Sequence, residues 1–313
     1  MTSLETWLDL HMHSSYSMDG QYTPTEIVAQ CAAAGVQAMA LSDHDAVAGN
    51  AEAGRAAARL GLSYFPAIEI SCTHAGKMFH LLGYGIHYDA PAFVKLEKAM
   101  QDQRKSHSEA MIEAVRRIGI AVDSDKVWAL SVNGSIGSVL IARAALADPR
   151  NDENELLAPY RPGGARSDTP YVNFGWDFCA QGKPCNVPME VITFEEAVAL
   201  IQEHGGAAVL AHPGANMGQD RERTEAIIAT GIDGIEAYCS YHDSETAAFY
   251  AGMAAQYGLI ATLGSDYHGH RTKPNIDLGR YSHPRPQDVY DRLCAVISGR
   301  GGIYPKRERS DLR

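Results

Sequence analysis

The sequence predicts an α/β fold with a parallel sheet, open or closed into a barrel, and an insertion of helices and loops in its middle. Short apolar segments alternate with alanine-rich helical segments, the pattern of strands joined by crossover helices. This alternation stops between residues 91 and 189 and then resumes. A chain of 313 residues is long for one domain but ordinary for one α/β barrel.

The predicted strands are short apolar runs, and signals for helix starts and helix ends lie between most of them. Residues 23–26 and 193–196 read Thr-x-x-Glu, the capping box that begins a helix. Glycines follow several helical runs, where helices commonly end. The strands are predicted at residues 8–13, 36–43, 63–70, 78–84, 207–212, 234–239 and 260–265, and the terminating glycines are Gly35, Gly61, Gly231 and Gly258.

The middle of the chain differs from both ends. Residues 91–120 have the pattern of one long amphipathic helix, whereas residues 145–188 are rich in Pro, Gly, Asn and Asp and show no clear period. We therefore expect a barrel formed by residues 1–90 and 190–300, an inserted helical and loop lid subdomain at 91–189, and a solvated tail at 301–313.

Composition limits the partners that the protein can have. A formal net charge of −11 disfavours binding along a long nucleic acid but leaves room for a small anionic substrate. No apolar run has the length of a membrane span, and the start MTSLETWLDL lacks the features of a secretory signal. The six cysteines form no CxxC pair, so we expect free thiols and a cytoplasmic location. The oligomeric state cannot be inferred from these features.

The first predicted strand, LDLHMH, ends with two histidines two residues apart. Alternate side chains of a strand share a face, so Asp9, His11 and His13 lie on one side of it. Two imidazoles in this arrangement can converge on one metal ion. A hairpin or edge strand with solvated histidines is the alternative for this stretch alone.

Further ionisable residues occur in or just after other predicted strands, and loops after parallel strands build the site in such folds. Taken singly, His80 is typical of a core histidine, Glu69 of a structural carboxylate and the segment Asp43–Asp45 of a solvated turn. Together they indicate a metal centre. Nine ligands exceed the needs of one zinc ion and suit two or three ions, which favour hydrolysis. The candidate ligands are His11, His13, Asp19, His44, Glu69, His80, His212, Asp266 and His268.

These residues, in this order, resemble the PHP (polymerase and histidinol phosphatase) family of metal-dependent phosphoesterases. The matching segments are DLHMHSSYSMDG, LSDHD, AIEIS, FHLLGYG, AHPG and GSDYHG, which lie within residues 8–85 and 205–270. The resemblance implies a distorted (β/α)₇ barrel and a trinuclear metal centre. Mixed imidazole and carboxylate ligands fit Mn²⁺, the expected ion, as well as Zn²⁺ or Fe²⁺.

The resemblance also implies which residues share each ion. His11, His13, Glu69 and Asp266 would hold the first ion. Glu69 would bridge to the second ion, which His80 and His212 also hold. The third ion would be held by Asp19, His44 and His268. Asp43 and Asp45 would orient the ligating imidazoles.

The length and the position of the insertion resemble one subgroup of the family, whose members hydrolyse 3′,5′-nucleotide bisphosphates and cyclic phosphodiesters. The reaction expected is attack of a metal-bridging hydroxide on phosphorus, with Glu69, Asp19, His44 and His268 as catalytic residues. Relatives in this subgroup usually carry two arginines five residues apart in the insertion, but here Ser138 stands at one of the two places. The candidate phosphate-binding residues are Arg143, Lys183 and His242.

Other functions remain open at this point. Histidinol-phosphate phosphatases share the metal motifs, and a 5′-3′ exoribonuclease that trims short RNA is compatible with the acidic composition. An amidohydrolase usually needs one or two ions and would leave Asp19 and His44 unused. A metal-bound scaffold without activity is disfavoured because every ligand position is kept.

Overall fold

A computed structural model describes residues 7–17, 19–131, 136–281 and 283–306. Its sheet has seven strands along one path and an eighth, Ile192–Thr193, which pairs with the strand Ser63–His74 beside this path. All seven predicted strands are present at their predicted places. The strands are β1 (Leu8–Asp9), β2 (Ala38–Leu41), β3 (Ser63–His74), β4 (Lys77–Tyr84), β5 (Ile192–Thr193), β6 (Ala207–Leu210), β7 (Gly234–Tyr238) and β8 (Ile260–Leu263).

The two ends of this sheet meet through the segments that follow β1 and β8. The backbone amide of Asp266 donates to the carbonyl of His11 at 2.8 Å, and the amide of His13 donates to the carbonyl of Tyr267 at 2.8 Å. Met12 and Tyr267 form a parallel bridge between the same segments. The sheet is therefore a nearly closed barrel of seven strands, which confirms the predicted distorted barrel.

One strand runs against the expected direction. β4 is antiparallel to both β3 and β6, whereas the pairs β1–β2, β2–β3, β6–β7 and β7–β8 are parallel. Ala75 and Gly76 join β3 to β4 with φ of 47° and 73°, the conformation of a tight hairpin turn. A two-residue connection is too short for a parallel crossover, so the expectation of parallel strands throughout is wrong here.

Helices cover the outside of the barrel. The predicted capping boxes are present, because the Thr23 side chain accepts from the Glu26 amide and Thr193 accepts from Glu196 in the same way. The helix at Pro286–Gly299 was not predicted from the sequence. The helices of the barrel are α1 (Pro24–Ala33), α2 (Asn50–Leu60), α7 (Phe194–Glu203), α8 (Pro213–Met217), α9 (Arg221–Ile228), α10 (Ser244–Gln256) and α11 (Pro286–Gly299).

The insertion has a hydrophobic core of its own. This core includes Val115, Ile141 and Phe174, all fully buried, and its residues all come from the segment between Met111 and Val187. The predicted boundaries of the inserted subdomain, 91–189, stay a prediction. The insertion contains α3 (Pro91–Arg117), α4 (Ser124–Leu130), α5 (Ser138–Leu146), α6 (Pro170–Phe174), a π-helical turn (Gly175–Cys179) and 3₁₀ turns at Pro149–Asn151 and Ala158–Tyr160.

The first residues after the last helix pack on the barrel. The amide of Ile303 donates to the carbonyl of Gly85 at 2.8 Å. Residues 307–313, most of the predicted tail, lie outside the described residues. All six cysteines are free thiols, as predicted. Among the described helices, none has both the length and the apolar character needed to cross a bilayer.

Candidate metal centre

Two histidines and two carboxylates meet at the end of the barrel where β1 and β8 close the sheet. The Nε2 atoms of His11 and His13 lie 3.0 Å apart. Asp266 Oδ1 is 3.3 Å from the first and 3.1 Å from the second. Glu69 Oε2 is similarly placed, at 3.3 and 3.2 Å. Four ligand atoms that converge on one point are the arrangement that a metal ion requires.

The Glu69 carboxylate connects this group to a second one. Its Oε1 lies 3.0 Å from His80 Nδ1 and 3.0 Å from His212 Nε2. Its Oε2 lies 3.0 Å from His44 Nδ1 as well as near His11 and His13. Glu69 is fully buried in β3, so both carboxylate oxygens face ring nitrogens and neither faces bulk water.

A third group forms beside the first. Nitrogen atoms of His13, His44 and His268 lie within 4.8 Å of one another. The Nε2 of His268 is 3.4 Å from Asp19 Oδ2. His44 thus lies between the second and third groups, because it also contacts Glu69. The structure brings together all nine predicted ligands.

The polar atoms at the centre of this cluster lack the hydrogen bonds that buried groups normally make. Buried side-chain oxygens and nitrogens nearly always have a partner. Here Asp19 Oδ1, Glu69 Oε2, His80 Nδ1 and Asp266 Oδ1 are buried without a hydrogen bond, although several ring nitrogens are about 3 Å away. Atoms that face a common point without bonding to each other fit divalent cations as the missing partner.

Charge in the metal-free cluster is unevenly shared. Burial lowers the pKa of His11, but the carboxylates of Glu236, Glu69 and Asp266 outweigh it and raise that pKa well above its ordinary value. The pKa of His44 rises to about 9 because Glu69 and Asp19 outweigh its burial. Burial and the neighbours His268 and His44 lower the pKa of His13 to about 4.

Through hydrogen bonds, Asp43 holds residues that follow His13 in the chain. It accepts hydrogen bonds from the Ser14 amide at 2.6 Å, the Ser14 hydroxyl at 2.7 Å and the Ser17 hydroxyl at 2.9 Å. Ser17 Oγ also lies 3.1 Å from His13 Nδ1 and accepts from the His44 amide. Asp43 therefore acts on the His13 ring through Ser17, in line with the orienting role expected for it.

Asp45 has a different set of contacts. It accepts from the Ser71 amide and hydroxyl, and from Arg104 Nη2 at 2.7 Å. Arg104, in helix α3, also donates to the His44 carbonyl at 3.1 Å. Among the described residues, no imidazole ring forms a hydrogen bond with Asp45. The expected role of Asp45 was to orient ligating imidazoles, but its contacts instead attach the loop that carries His44 to the insertion.

Backbone strain concentrates at the same place. Asp45, His212 and Asp266 have φ of 50°, 26° and 54°, in the left-handed region that non-glycine residues rarely occupy. Such conformations persist only where the surrounding structure holds them, and they cluster at functional sites.

Glu236 is a part of the centre that the sequence reasoning missed. It lies fully buried in β7, with Oε1 2.9 Å from His11 Nδ1. Its Oε2 accepts from the His212 amide at 2.9 Å. One carboxylate thus positions two candidate ligands. Its signal was available, because GIEAY places an acidic residue within an apolar strand just as AIEIS does for Glu69.

Lys273 and Asp9 were also missed. Lys273 Nζ donates to Asp266 Oδ2 at 2.5 Å and lies 4.7 Å from the centre of the Tyr241 ring. This ammonium lowers the pKa of Asp266 despite its burial. Asp9 accepts from the amides of Ser265 and Gly279, which fixes the segment that leads to Asp266.

A cavity of about 330 Å³ lies between this cluster and the insertion. A second cavity, of about 510 Å³, shares Val172, Trp176, Tyr241 and Lys273 with it. The first cavity is lined by Asp19, His44, His80, His212, Tyr241, Asp266, His268 and Lys273 from the barrel, and by His107, Met111, Ile136, Gly137, Ser138, Val139, Val172, Gly175, Trp176, Cys179 and Ala180 from the insertion.

The three predicted phosphate-binding residues lie in different surroundings. Arg143 lines a small cavity that it shares with Asp19. Lys183 is exposed and does not line the cavity of 330 Å³. His242 uses both ring nitrogens for backbone groups, since Nε2 accepts from the Gly214 amide and Nδ1 lies 2.9 Å from the Ala237 carbonyl. These contacts favour a role for His242 in holding the loop after His212.

A buried cluster of imidazoles and carboxylates at the rim of an α/β barrel, beside a cavity, is the arrangement of a metal-dependent hydrolase. The sequence-family model of the PHP domain matches residues 9–136 of the chain. The chain is 32% identical over 272 residues to a 3′,5′-nucleoside bisphosphate phosphatase of Chromobacterium violaceum, covering 83% of this chain and 87% of that protein.

Other relatives carry different names. A phosphoribosyl 1,2-cyclic phosphate 1,2-diphosphodiesterase of Eggerthella lenta is 30% identical over 263 residues, covering 83% of this chain and 94% of the relative. The 5′-3′ exoribonuclease Rnm of Escherichia coli is 29% identical over 279 residues, covering 87% and 88%.

Solved structures agree with the fold. An amidohydrolase from Chromobacterium violaceum with bound sulfate superimposes with a TM-score of 0.73 at 31% identity, covering 91% of this chain and 96% of that one. A Bifidobacterium adolescentis structure assigned to the metal-dependent phosphoesterases gives a TM-score of 0.74 at 24% identity, covering 92% and 96%. The chain belongs to the PHP family of metal-dependent phosphoesterases, and it is a hydrolase of phosphate esters.

Proposed function

We propose that the protein removes phosphate from a small phosphorylated ribose compound, either a nucleoside 3′,5′-bisphosphate or a cyclic ribose phosphate. The observation that carries this proposal is the cavity of about 330 Å³ between the candidate metal centre and the insertion. A volume near the lower end of small-molecule sites suits a nucleotide or a ribose phosphate. The names of the two relatives with 32% and 30% identity support the same substrate classes.

The nine ligands fit two to three divalent ions, with Mn²⁺ the proposed species and Zn²⁺ or Fe²⁺ the alternatives. His11, His13, Glu69 and Asp266 would hold the first ion. Glu69, His80 and His212 would hold the second, and Asp19, His44 and His268 the third. Bound ions would lower the pKa of a coordinated water and neutralise charge at phosphorus.

The remaining chemistry falls to side chains that line the cavity. Proton transfer to the leaving oxygen requires a group within hydrogen-bond reach of it. His268 Nδ1 lies 2.9 Å from the Asp266 carbonyl, so only its Nε2, which faces Asp19, could hold an ion, and this ring would then have no proton to donate. Asp19, His44 and His268 are the region in which we place the general acid.

Binding of the base or sugar falls to the insertion. Trp176 lies in the π-helical turn, is 38% exposed and lines both cavities. Single π-helical turns are frequent at functional sites. An exposed aromatic ring beside a phosphoesterase centre can stack on a nucleobase. Tyr241 lines the same two cavities from the barrel side.

Trimming of short RNA is the second candidate. Several relatives are named 5′-3′ exoribonucleases, at 28% and 29% identity. The two cavities, which share four lining residues, together give more room than one mononucleotide requires. Against this, the net charge of −11 repels a long anionic chain.

A cytoplasmic location remains part of the proposal and agrees with the six free thiols.

A phosphate-release assay tests the proposal directly. The Mn²⁺-loaded protein is given a nucleoside 3′,5′-bisphosphate, a cyclic ribose phosphate, histidinol phosphate and a short single-stranded RNA at low and moderate salt. We expect one of the first two to give the highest kcat/KM. Fastest turnover of RNA at moderate salt would overturn the proposal in favour of the exoribonuclease, and fastest turnover of histidinol phosphate would favour that phosphatase.

A further inference from the structure

Two arginines from distant parts of the chain share one small cavity beside the metal centre. Arg143 comes from α5 in the insertion, and Arg271 comes from the loop after β8. Within the described part of the chain, neither guanidinium has an ion pair or a side-chain hydrogen bond. Asp19 lines the same cavity but forms an ion pair with neither arginine, so the two cations repel each other and an anion between them would relieve this repulsion. Burial, together with the charge of Arg271, lowers the pKa of Arg143.

The backbone that carries Arg271 is fixed in place. The Arg271 amide donates to Gln21 Oε1 at 2.9 Å, and the next residue, Thr272, donates from its hydroxyl to the Asp19 carbonyl at 2.8 Å. Thr272 and Lys273 are buried, whereas the Arg271 side chain is exposed. The guanidinium is thus attached to a rigid loop, which reduces the entropy lost when it binds a ligand.

The size and the position of the cavity indicate what it can hold. Its volume is about 40 Å³, a few times the roughly 10–15 Å³ that one water needs, so it suits a single small anion. Ser15, Ser17 and Thr272 add polar groups to its lining. Asp19 lines both this cavity and the larger one, so the two lie one carboxylate apart.

We propose that Arg143 and Arg271 form a second anion subsite beside Asp19, which binds the phosphate group of the substrate that is not cleaved. This inference rests on the proposed function and narrows it, because a substrate with two phosphate groups would occupy both places. Arginine is suited to this role, since its planar guanidinium donates two parallel hydrogen bonds to a phosphate.

Comparison of two substrates tests the subsite. Arg271→Gln and Arg143→Gln are assayed with a nucleoside 3′,5′-bisphosphate and with the nucleoside 3′-monophosphate that lacks the second phosphate. Because a hydrogen bond to a charged group is involved, we expect kcat/KM for the bisphosphate to fall about 10- to 100-fold, mainly through KM. The loss for the bisphosphate should exceed the loss for the monophosphate at least about tenfold by the same reasoning.

Arg280→Gln is the matched control, since Arg280 lies in the same loop, is 72% exposed and pairs with Asp277. It should leave both activities unchanged. Equal losses on the two substrates, or no loss on either, would overturn the subsite.

Binding of inorganic phosphate separates this inference from the proposed function. If the Mn²⁺-loaded protein cleaves neither nucleotide, the proposed function fails, and calorimetric titration with phosphate still decides the subsite. We expect the double variant at Arg143 and Arg271 to bind one phosphate ion fewer per chain than the unaltered protein. Equal stoichiometry and affinity in the two proteins would exclude the arginine pair.

Discussion

The barrel rim and the insertion face each other across one cavity and contribute different kinds of side chain to it. Every residue that the barrel places on the lining of the 330 Å³ cavity is ionisable, for example Asp19, His80 and Lys273. On the insertion side, residues such as Ile136 and Trp176 predominate, and His107 and Cys179 are the two ionisable residues among those described. One wall carries charge and the other provides shape.

This difference separates two tasks that many enzymes combine on one surface. The charged side chains are rigidly held, by full burial at Glu69 and Glu236 and by strained backbone at His212 and Asp266. The insertion has its own core, so its wall can vary without disturbing the metal ligands. We infer that the barrel determines whether a phosphate ester is cleaved and that the insertion determines which one.

The largest expected effect comes from the carboxylate at the centre of the charged wall. Glu69→Gln replaces an oxygen that faces two groups of ligands, so it should remove bound metal. Loss of metal assistance, worth several kcal/mol, should lower phosphate release by about 1000-fold or more. Metal content by elemental analysis and initial rates provide the measurement.

Glu195→Gln, at an exposed carboxylate that pairs with His74, is the control and should keep both metal and rate. Near-normal turnover in Glu69→Gln would refute the bridging role.

Loss of the positioning carboxylate should have a smaller effect. Glu236→Ala removes the partners of the His11 ring and of the His212 amide, while leaving all nine candidate ligands in place. Partners of this kind contribute about 10- to 100-fold to metal affinity or activity. Competition with a fluorescent chelator measures the Mn²⁺ affinity. Glu236→Gln retains one accepting oxygen and should recover part of the loss, and an unchanged affinity in Glu236→Ala would contradict the assignment.

Metal binding should release protons and weaken as pH falls. With a pKa of about 9 in the metal-free protein, His44 is protonated at pH 7 and must lose that proton to bind a cation. Each displaced proton lowers the apparent affinity about tenfold per pH unit below that pKa. Titration calorimetry in two buffers with different ionisation enthalpies counts the protons. His44→Gln should release one proton fewer, and a heat that is independent of the buffer would contradict the prediction.

The smallest expected effect on activity comes from a substitution on the insertion side of the cavity. Trp176→Ala should raise KM for a nucleotide substrate by about fivefold or more, because base stacking on an aromatic ring is worth about 1–3 kcal/mol. The value of kcat should change much less. Leu156→Ala, at another exposed apolar side chain of the insertion, is the control. A fall in kcat alone would mean that Trp176 acts on the chemical step and that the division between the two walls is wrong.

The sequence was informative where geometry links strand ends to one another. The carboxyl ends of parallel strands meet at one rim, so residues as distant as His13, His44 and Asp266 could be grouped without a structure. The direction of β4 could not be read in this way, because His80 lies within an antiparallel strand and not at the end of a parallel one. It was included among the ligands because histidines and carboxylates recur together in and after the predicted strands, although His80 taken singly is typical of a core histidine.

The insertion was informative only for its long helix. Residues 145–188 have no period, so nothing in the sequence fixes where their side chains point. Lys183 could therefore be proposed by residue type but not placed, and the structure puts it on the surface. Arg143, just before this segment, lines the small cavity beside Asp19. Arg271 lies in a loop, where charge alone gives no indication of its neighbour.

Closure of the barrel has a consequence for the order in which the enzyme matures. The Ser265 hydroxyl and the His11 carbonyl that it bonds are separated by 254 residues in sequence. His11 and His13 are synthesised first, and Asp266 and His268 become available only after most of the chain has been made. Contacts of such long range form late and slowly during folding. We infer that the first and third candidate ion sites, which need Asp266 and His268, are completed only after the barrel has closed.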